Sequence, residues 1–199
     1  MCRLFESIRV EHGEMQHLQL HEWRMLNSRK ELWGITSPIP LGDIVIPNEC
    51  RMGKFKCRLV YKEKIESIEF LPYGLRKIKT LKVVTADHIE YAYKFLDRTP
   101  FMDLFLQHNE YDELVLVKNG LITDSSFSNL AFFDGSHWFT PATPLLMGTR
   151  REALLNQEMI LETDIRPENL GDYQIVSFIN AMLGLGELTF PVSALDGRP

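Results

Sequence analysis

Apolar and polar residues alternate along residues 3–10, RLFESIRV, as they do in a half-buried β-strand. The turn-forming EHG at 11–13 then leads into a second short strand. From Leu18 to Leu32 the period changes, and the apolar positions Leu18, Trp23, Met25, Leu26 and Leu32 predict an amphipathic helix. The Pro- and Gly-rich stretch TSPIPLGD follows it. Residues 56–62 (KCRLVYK) and 65–71 (IESIEFL) predict a hairpin with a short charged link; PYG at 72–74 breaks the pattern, and LKVV at 81–84 predicts another strand. Helical spacing returns from Arg98 to His108, with Phe101, Met102, Phe105 and Leu106 as its core-facing positions.

The strongest local signal lies further on. ELVLV, the pair Asn119-Gly120 and LIT predict a hairpin, because Asn-Gly supplies the positive φ angles of a two-residue turn. Asp134-Gly135 repeats the device between LAFF and HWFT, which makes residues 121–133 the middle strand of a three-strand meander. That strand carries Asp124, Ser125, Ser126, Ser128 and Asn129, and polar groups in a half-buried strand need partners. Asp124 is the most demanding. An ionised carboxylate away from water needs a cation, and residues 119–149 contain no Lys or Arg, so the cation comes from elsewhere in the chain or from a ligand.

Composition narrows the field. With 199 residues, 45% hydrophobic and 25% charged, the chain has the make-up of a globular protein of one domain or two small ones, and its predicted strands and helices make it α+β, with a boundary at residues 72–80 between a smaller unit over 1–78 and a larger one over 79–199. The net charge of -5 provides no general attraction for nucleic acid or an anionic membrane, so an anionic ligand needs a local site. No stretch approaches the roughly 18 apolar residues of a membrane helix, and the expectation is a cytoplasmic protein. Cys2, Cys50 and Cys57 form an odd set without a CxxC pair, as reduced packing residues do.

Few residues then remain for chemistry. In PLLMGTRREALL at 144–155, Gly148 and Thr149 precede a helical run and serve either as a phosphate site or as an ordinary N-cap. Lys94, in EYAYKFLDR, is either a nucleophile in an apolar setting or a surface lysine near Glu90 and Asp97. His17 and His21 have i, i+4 spacing without a third metal ligand or HExxH, GLG at 184–186 lacks the rest of a dinucleotide fingerprint, and there is no GxSxG or Walker motif. One ligand uses the remaining groups together: pyridoxal 5'-phosphate (PLP) takes a lysine for its aldehyde, a carboxylate for its pyridinium nitrogen, and a phosphate site of helix N-termini and an arginine.

KFLDR at 94–98, ITDSSFSNLAFF at 122–133 and MGTRREALL at 147–155 resemble, in that order, the signatures of the class IV aminotransferases, the fold type IV PLP enzymes that include the D-amino acid aminotransferases. FESIRV at 5–10 followed by LHEWRM at 20–25 resembles the family's N-terminal strand and His-x-x-Arg helix. FINAMLGLGELTFPV at 178–192 resembles its last active-site turn, in which Asn180-Ala181 is most similar to the branch that acts on 4-amino-4-deoxychorismate.

The resemblance implies a two-domain fold type IV enzyme. Lys94 would bond the PLP aldehyde and shuttle the proton, and Asp124 would pair with the ring nitrogen. Arg24, Gly148, Thr149, Asn180 and Ala181 would surround the phosphate with Ser128 nearby, and Ser7 would stand close to the substrate as a catalytic helper. It further implies a homodimer with a small-molecule amino substrate, no metal, and no nucleic-acid or membrane partner.

The sequence departs from the family in having Asp124 where Glu is usual, in beginning almost directly at the FESIRV strand, shortened at the N-terminus, and in an abbreviated stretch between Tyr61 and Lys94. The implied activity is a folate-pathway lyase that yields 4-aminobenzoate and pyruvate. The alternatives are an aminotransferase for branched-chain or D-amino acids and a non-catalytic scaffold.

Overall fold

The alternation at the N-terminus forms β1 (Leu4–Glu11), which buries Leu4, Glu6, Ile8 and Val10 on one face. A computed structural model describes residues 2–197. The described residues divide into two units, one comprising 2–75 and 93–97 and the other 76–92 and 98–197. The division thus falls three residues before the expected 78/79 boundary, and the segment carrying Lys94 belongs to the first unit instead of the C-terminal one.

In the first unit, β1, β2 (Glu14–Met15), β3 (Lys54–Tyr61) and β4 (Ile65–Pro72) form an antiparallel sheet in the order β2-β1-β3-β4. His12 and Gly13, both at positive φ, make the turn that returns β1 into β2. Leu4, Ile8, Val10, Cys57, Leu59 and Tyr61 of the sheet pack with Met25 and Leu41, each buried aliphatic side chain contributing about 2 kcal/mol. Met25 lies on α1 (Leu18–Trp33), which ends at Gly34 in the left-handed conformation. The helix has the expected extent but a different buried face. His21, Arg24, Met25, Ser28 and Arg29 turn inward while Trp23 is 55% exposed, because Glu6 supplies a buried counter-charge.

In the second unit a larger sheet runs β10-β9-β8-β7-β6-β5-β13, and β11 joins it beside β8. β5 (Leu81–Thr85) and β6 (Glu113–Lys118) are parallel, connected through α2 (Thr99–Gln107). Phe101 and Leu104 are the buried positions of α2, whereas Met102 and Leu106 face solvent at 62% and 73% exposure, so the expected core face is corrected by part of a turn. Asn119 and Gly120, at φ 52 and 77, form the two-residue turn between β6 and β7 (Leu121–Ser125).

Residues 121–133 are not one strand. β7 stops at Ser125, Ser126-Phe127-Ser128 turn, and β8 (Asn129–Phe133) returns antiparallel with Asp124 opposite Asn129. The seryl residues close this turn themselves: Ser125 N–H donates to Ser128 O at 2.8 Å, and the two hydroxyls lie 2.9 Å apart. The link to β9 (Trp138–Pro141) is a four-residue loop, Asp134–His137, in which Asp134 accepts from the Ser136 and His137 amides, in place of the expected two-residue turn.

Leu154 of α3 (Thr149–Asn156) packs on Ala131 of β8, Ile160 and Ile179, a residue of β11 (Ile175–Ile179), and so fixes the helix against the strands that follow the seryl turn. β10 (Leu161–Thr163), β12 (Thr189–Pro191) and β13 (Leu195–Asp196) complete the sheet. Among the described residues no helix is long and apolar enough to cross a membrane.

Candidate functional site

The residues singled out from the sequence fall in both units. In the first, Glu6 occupies a position of β1 that the alternation reserves for an apolar side chain, and α1 answers it. Arg24 donates from Nε to Glu6 Oε1 at 3.0 Å and from Nη2 to Oε2, while His21 Nδ1 lies 2.7 Å from Oε2. Burial alone raises the Glu6 carboxyl, but the Arg24 charge and the His21 hydrogen bond prevail and bring it down to about 2. Burial also holds His21 below its ordinary value, against the pull of Glu6, with the charges of Arg24 and Lys94 acting in the same direction as burial. His21 is therefore neutral at pH 7 and donates its Nδ1 proton to Glu6.

Residues 93–97 lie along the start of β1. Phe5 N–H donates to Lys94 O at 3.0 Å, Leu4 bridges Phe95, and Leu96 N–H donates to Arg3 O at 2.8 Å. This backbone pairing sets Lys94 Nζ 4.7 Å from the centre of the Phe5 ring. Phe5 shares its face of β1 with Ser7, and Ser7 stands opposite Arg58, whose guanidinium lies 5.8 Å from the same ring. The structure thus gathers Lys94 and Ser7 around Phe5, whereas Arg24 belongs to the Glu6 side of the strand. Glu90, considered above as a neighbour of Lys94, pairs with Lys118 at 2.6 Å.

In the second unit Asp124 is buried and makes no ion pair among the described residues. Asn129 Nδ2 donates to its Oδ1 at 2.6 Å, and Leu146 N–H donates to its Oδ2 at 3.0 Å. Arg151, itself bonded to Pro141 O at 2.9 Å and Glu162 at 2.5 Å, reaches Asp124 only through its field. Burial consequently dominates and pushes the Asp124 carboxyl up to about 6, in spite of Asn129 and the amides of Leu146 and Leu145.

Asn129 also donates to Leu146 O at 2.8 Å and thereby ties Asp124 to the loop that enters α3. At Gly148 an added Cβ would stand 1.8 Å from Asn129 Oδ1, so glycine is required there by the approach of that amide. Gly148 is the N-cap of α3, which begins without a capping side chain, and Thr149 is buried behind it. Ser128 shares its hydroxyl with Ser125. Asn180 Oδ1 accepts from the amides of Met182 at 2.8 Å and Leu183 at 3.1 Å, closing the turn that contains Ala181, and its Nδ2 reaches Phe127 O at 3.5 Å. Asp124, Ser128, Gly148, Thr149, Asn180 and Ala181 are thus connected through Asn129 and the seryl turn.

The sequence reading did not single out Glu6 or Glu113, named Asn129 only as one of several polar groups needing partners, and met His21 as a partner of His17 and as the His of a His-x-x-Arg helix, without its bond to Glu6. The available signal for Glu6 was a charge inside an alternating apolar row, followed by His and Arg on one face of the next helix.

An α+β chain with these two sheets, a lysine fastened beside β1 and an unpaired buried carboxylate on β7 has the architecture of the fold type IV PLP enzymes. The model of the amino-transferase class IV family matches residues 94–189. An uncharacterized protein of Haemophilus influenzae is 36% identical over 189 residues, covering 93% of this chain and 100% of the relative. A chain of Haemophilus somnus 129PT proposed to be a 4-amino-4-deoxychorismate lyase is 34% identical, with a TM-score of 0.85 over 93% of this chain and 98% of the other. A hypothetical aminotransferase of Mycobacterium tuberculosis, solved in a PLP-bound form, shares the fold at 17% identity and a TM-score of 0.70, covering 99% of this chain and 82% of that one. The chain belongs to the class IV aminotransferase family, whose members bind PLP.

Proposed function

We propose that this protein is a PLP-dependent lyase converting 4-amino-4-deoxychorismate to 4-aminobenzoate and pyruvate, in folate biosynthesis. The observation that carries the reading is the likeness along nearly the whole of both chains, at 34% identity, to the Haemophilus somnus protein proposed to have this activity. The donor set suits the cofactor. A buried carboxylate pushed up to about 6 and lacking an ion pair is matched by a protonated pyridine nitrogen, and the shorter Asp124 side chain takes the place of the family's usual Glu. The uncapped start of α3 at Gly148 and Thr149 suits a phosphate, with Ser128, Asn180 and Ala181 of the same unit as its further contacts, whereas Arg24 is assigned to it by family likeness alone and is bonded to Glu6 in this structure. Lys94 supplies the amine.

Bound PLP would act as an electron sink for the substrate carbon that carries nitrogen. Lys94 removes the proton from that ring carbon, and Asp124 holds the proton on the pyridine nitrogen. Loss of the ring proton and cleavage of the C–O bond to the enolpyruvyl group aromatise the ring, and a proton returned to the enolpyruvyl methylene yields pyruvate. The reaction balances without water. Ser7, on the same face of β1 as Phe5, would hydrogen-bond the substrate. By family likeness the working assembly is a homodimer.

The test is the absorbance of purified wild type and Lys94→Ala with added PLP, followed by 4-amino-4-deoxychorismate. The expected result is a visible band of lysine-bound cofactor in wild type alone, then 4-aminobenzoate fluorescence and an equal yield of pyruvate. A band without these products, but with amino transfer to a 2-oxo acid, overturns the lyase in favour of a transaminase. No band in either protein overturns the cofactor assignment.

A further inference from the structure

A third buried carboxylate has no part in the roles above. Glu113 opens β6 and is wholly buried. Its Oε1 accepts from Ser126 N–H at 2.9 Å and from Leu114 N–H at 3.1 Å, and its Oε2 accepts from Arg76 Nη1 at 2.8 Å. Arg76 also donates to Asp112 O at 2.5 Å and lies 5.7 Å from the centre of the Phe127 ring. On the far side of the same residue, Arg98 donates to Ser126 O. Ser126 is therefore gripped at both its N–H and its carbonyl by charged side chains from outside the turn.

The seryl turn does not require that grip in order to close, since Ser125 and Ser128 already bond each other. Burial pushes the Glu113 carboxyl up against the pull of its Ser126 and Leu114 hydrogen bonds and the Arg76 charge, so the group is held there at a desolvation cost. The pairing of β6 with β7 shows what the grip acts on. Val117 faces Ile122 but Val115 faces Ser125, so β7 carries one extra residue between them, a bulge that contains Asp124. The Asn119-Gly120 turn anchors the near side of the bulge. On the far side β7 ends at Ser125, and the next residue is the one that Glu113 holds.

We infer that Glu113 is a positioning residue: by accepting the Ser126 N–H, with Arg76 as counter-charge, it pins the chain just beyond the bulge and so sets where the Asp124 carboxylate stands. The inference rests on the reading of Asp124 as the partner of the PLP ring nitrogen. It requires reach from the side chain at 113, and charge only secondarily.

The experiment titrates full-length wild type, Glu113→Gln, Glu113→Asp and Glu113→Ala with PLP, recording the absorbance of the bound cofactor and the Tm of each protein. Gln keeps an oxygen within reach of Ser126 but loses the charge, whereas Asp keeps the charge and loses the reach. The expected result is PLP affinity within about twofold of wild type for Glu113→Gln, and at least a tenfold loss with a displaced band for Glu113→Asp and Glu113→Ala, whatever the order of their Tm values. Should Glu113→Ala fail to fold, the contrast between Gln and Asp decides alone. Equal affinities in all the folded variants, or affinities that follow Tm, overturn the inference while leaving the cofactor reading intact. Wild type that takes up no PLP overturns both.

Discussion

Glu6 and Asp124 are both buried carboxylates on strands, one in each unit, and their surroundings drive them in opposite directions. Glu6 meets Arg24 and His21 and is brought down to about 2. Asp124 meets an asparagine amide and a backbone amide, has Arg151 only at a distance, and is pushed up to about 6. In the first unit the chain completes its own charge. In the second it leaves an acceptor that is hydrogen-bonded but not neutralised, and this is the condition under which a cationic ligand gains most by binding.

Removing Glu6 produces the largest expected effect on stability. Glu6→Ala removes the carboxylate that Arg24 and His21 bond in the core, and the loss of a partner from a buried ion pair costs about 3–5 kcal/mol. Urea unfolding at neutral pH reads it directly. A loss below about 1 kcal/mol would mean that the network is not closed, and the comparison would fail. The acid limb follows with a definite sign. Because the folded-state carboxyl is depressed, Glu6 contributes stability above its ordinary value of 4.5 that disappears as pH falls through about 2.

Asp124 has the reverse sign. Its folded value of about 6 exceeds the ordinary 3.8, so the folded protein binds that proton more tightly than the unfolded chain does. Stability of the cofactor-free protein is therefore greatest below the ordinary value and declines as pH rises through about 6, by about 3 kcal/mol from this group. Thermal unfolding across this range should show the decline in wild type, its disappearance in Asp124→Asn, and its attenuation with saturating PLP. A cofactor-free wild type whose stability instead rises over the same range would show that Asp124 is already neutralised by the chain.

Much of this was legible in the sequence where a local rule decides the outcome. The alternation of β1, the Asn119-Gly120 turn at φ 52 and 77, and the start of α3 at Thr149 follow from periods and turn chemistry spanning a few residues. Asp124 was singled out as a carboxylate in a half-buried strand and Lys94 as a lysine in an apolar setting, whereas their roles, and Ser7 altogether, were reached by likeness of motif. The failures arise where a distant residue decides. Trp23 is exposed because Glu6, from another element, makes the polar stripe of α1 the buried one, and Glu113 acquires its meaning from Ser126 and from Arg76, 37 positions earlier. The break at 126–128 was hidden because its serines satisfy one another, leaving no Gly or Pro to announce a turn.

A smaller effect is expected where geometry alone is disturbed. In Gly148→Ala the new methyl would overlap Asn129 Oδ1, and Asn129 cannot rotate away without releasing Asp124 and Leu146. Overpacking of this kind costs about 2 kcal/mol, measured by urea unfolding. Asn129→Ala in the same background removes the overlap, so the double variant should lose clearly less than the sum of the two single changes. Strict additivity would separate Gly148 from the Asp124 network.

Lys94 provides the smallest expected effect on stability and the sharpest control on the comparison, because it is a charge of the first unit set over the Phe5 ring. Its backbone pairing with Phe5 survives substitution, and its ammonium over the Phe5 ring is worth about 0.5–1 kcal/mol. Lys94→Ala should therefore unfold within about 1 kcal/mol of wild type while losing turnover altogether. The same variant has a second signature, for the Lys94 charge is one of the influences that lower His21. Its removal should move the His21 titration upward in NMR spectra, Glu6 being unchanged. A destabilisation approaching that of Glu6→Ala would instead make Lys94 a member of the closed network, and a lysine engaged in that way is poorly suited to exchange its proton with a substrate.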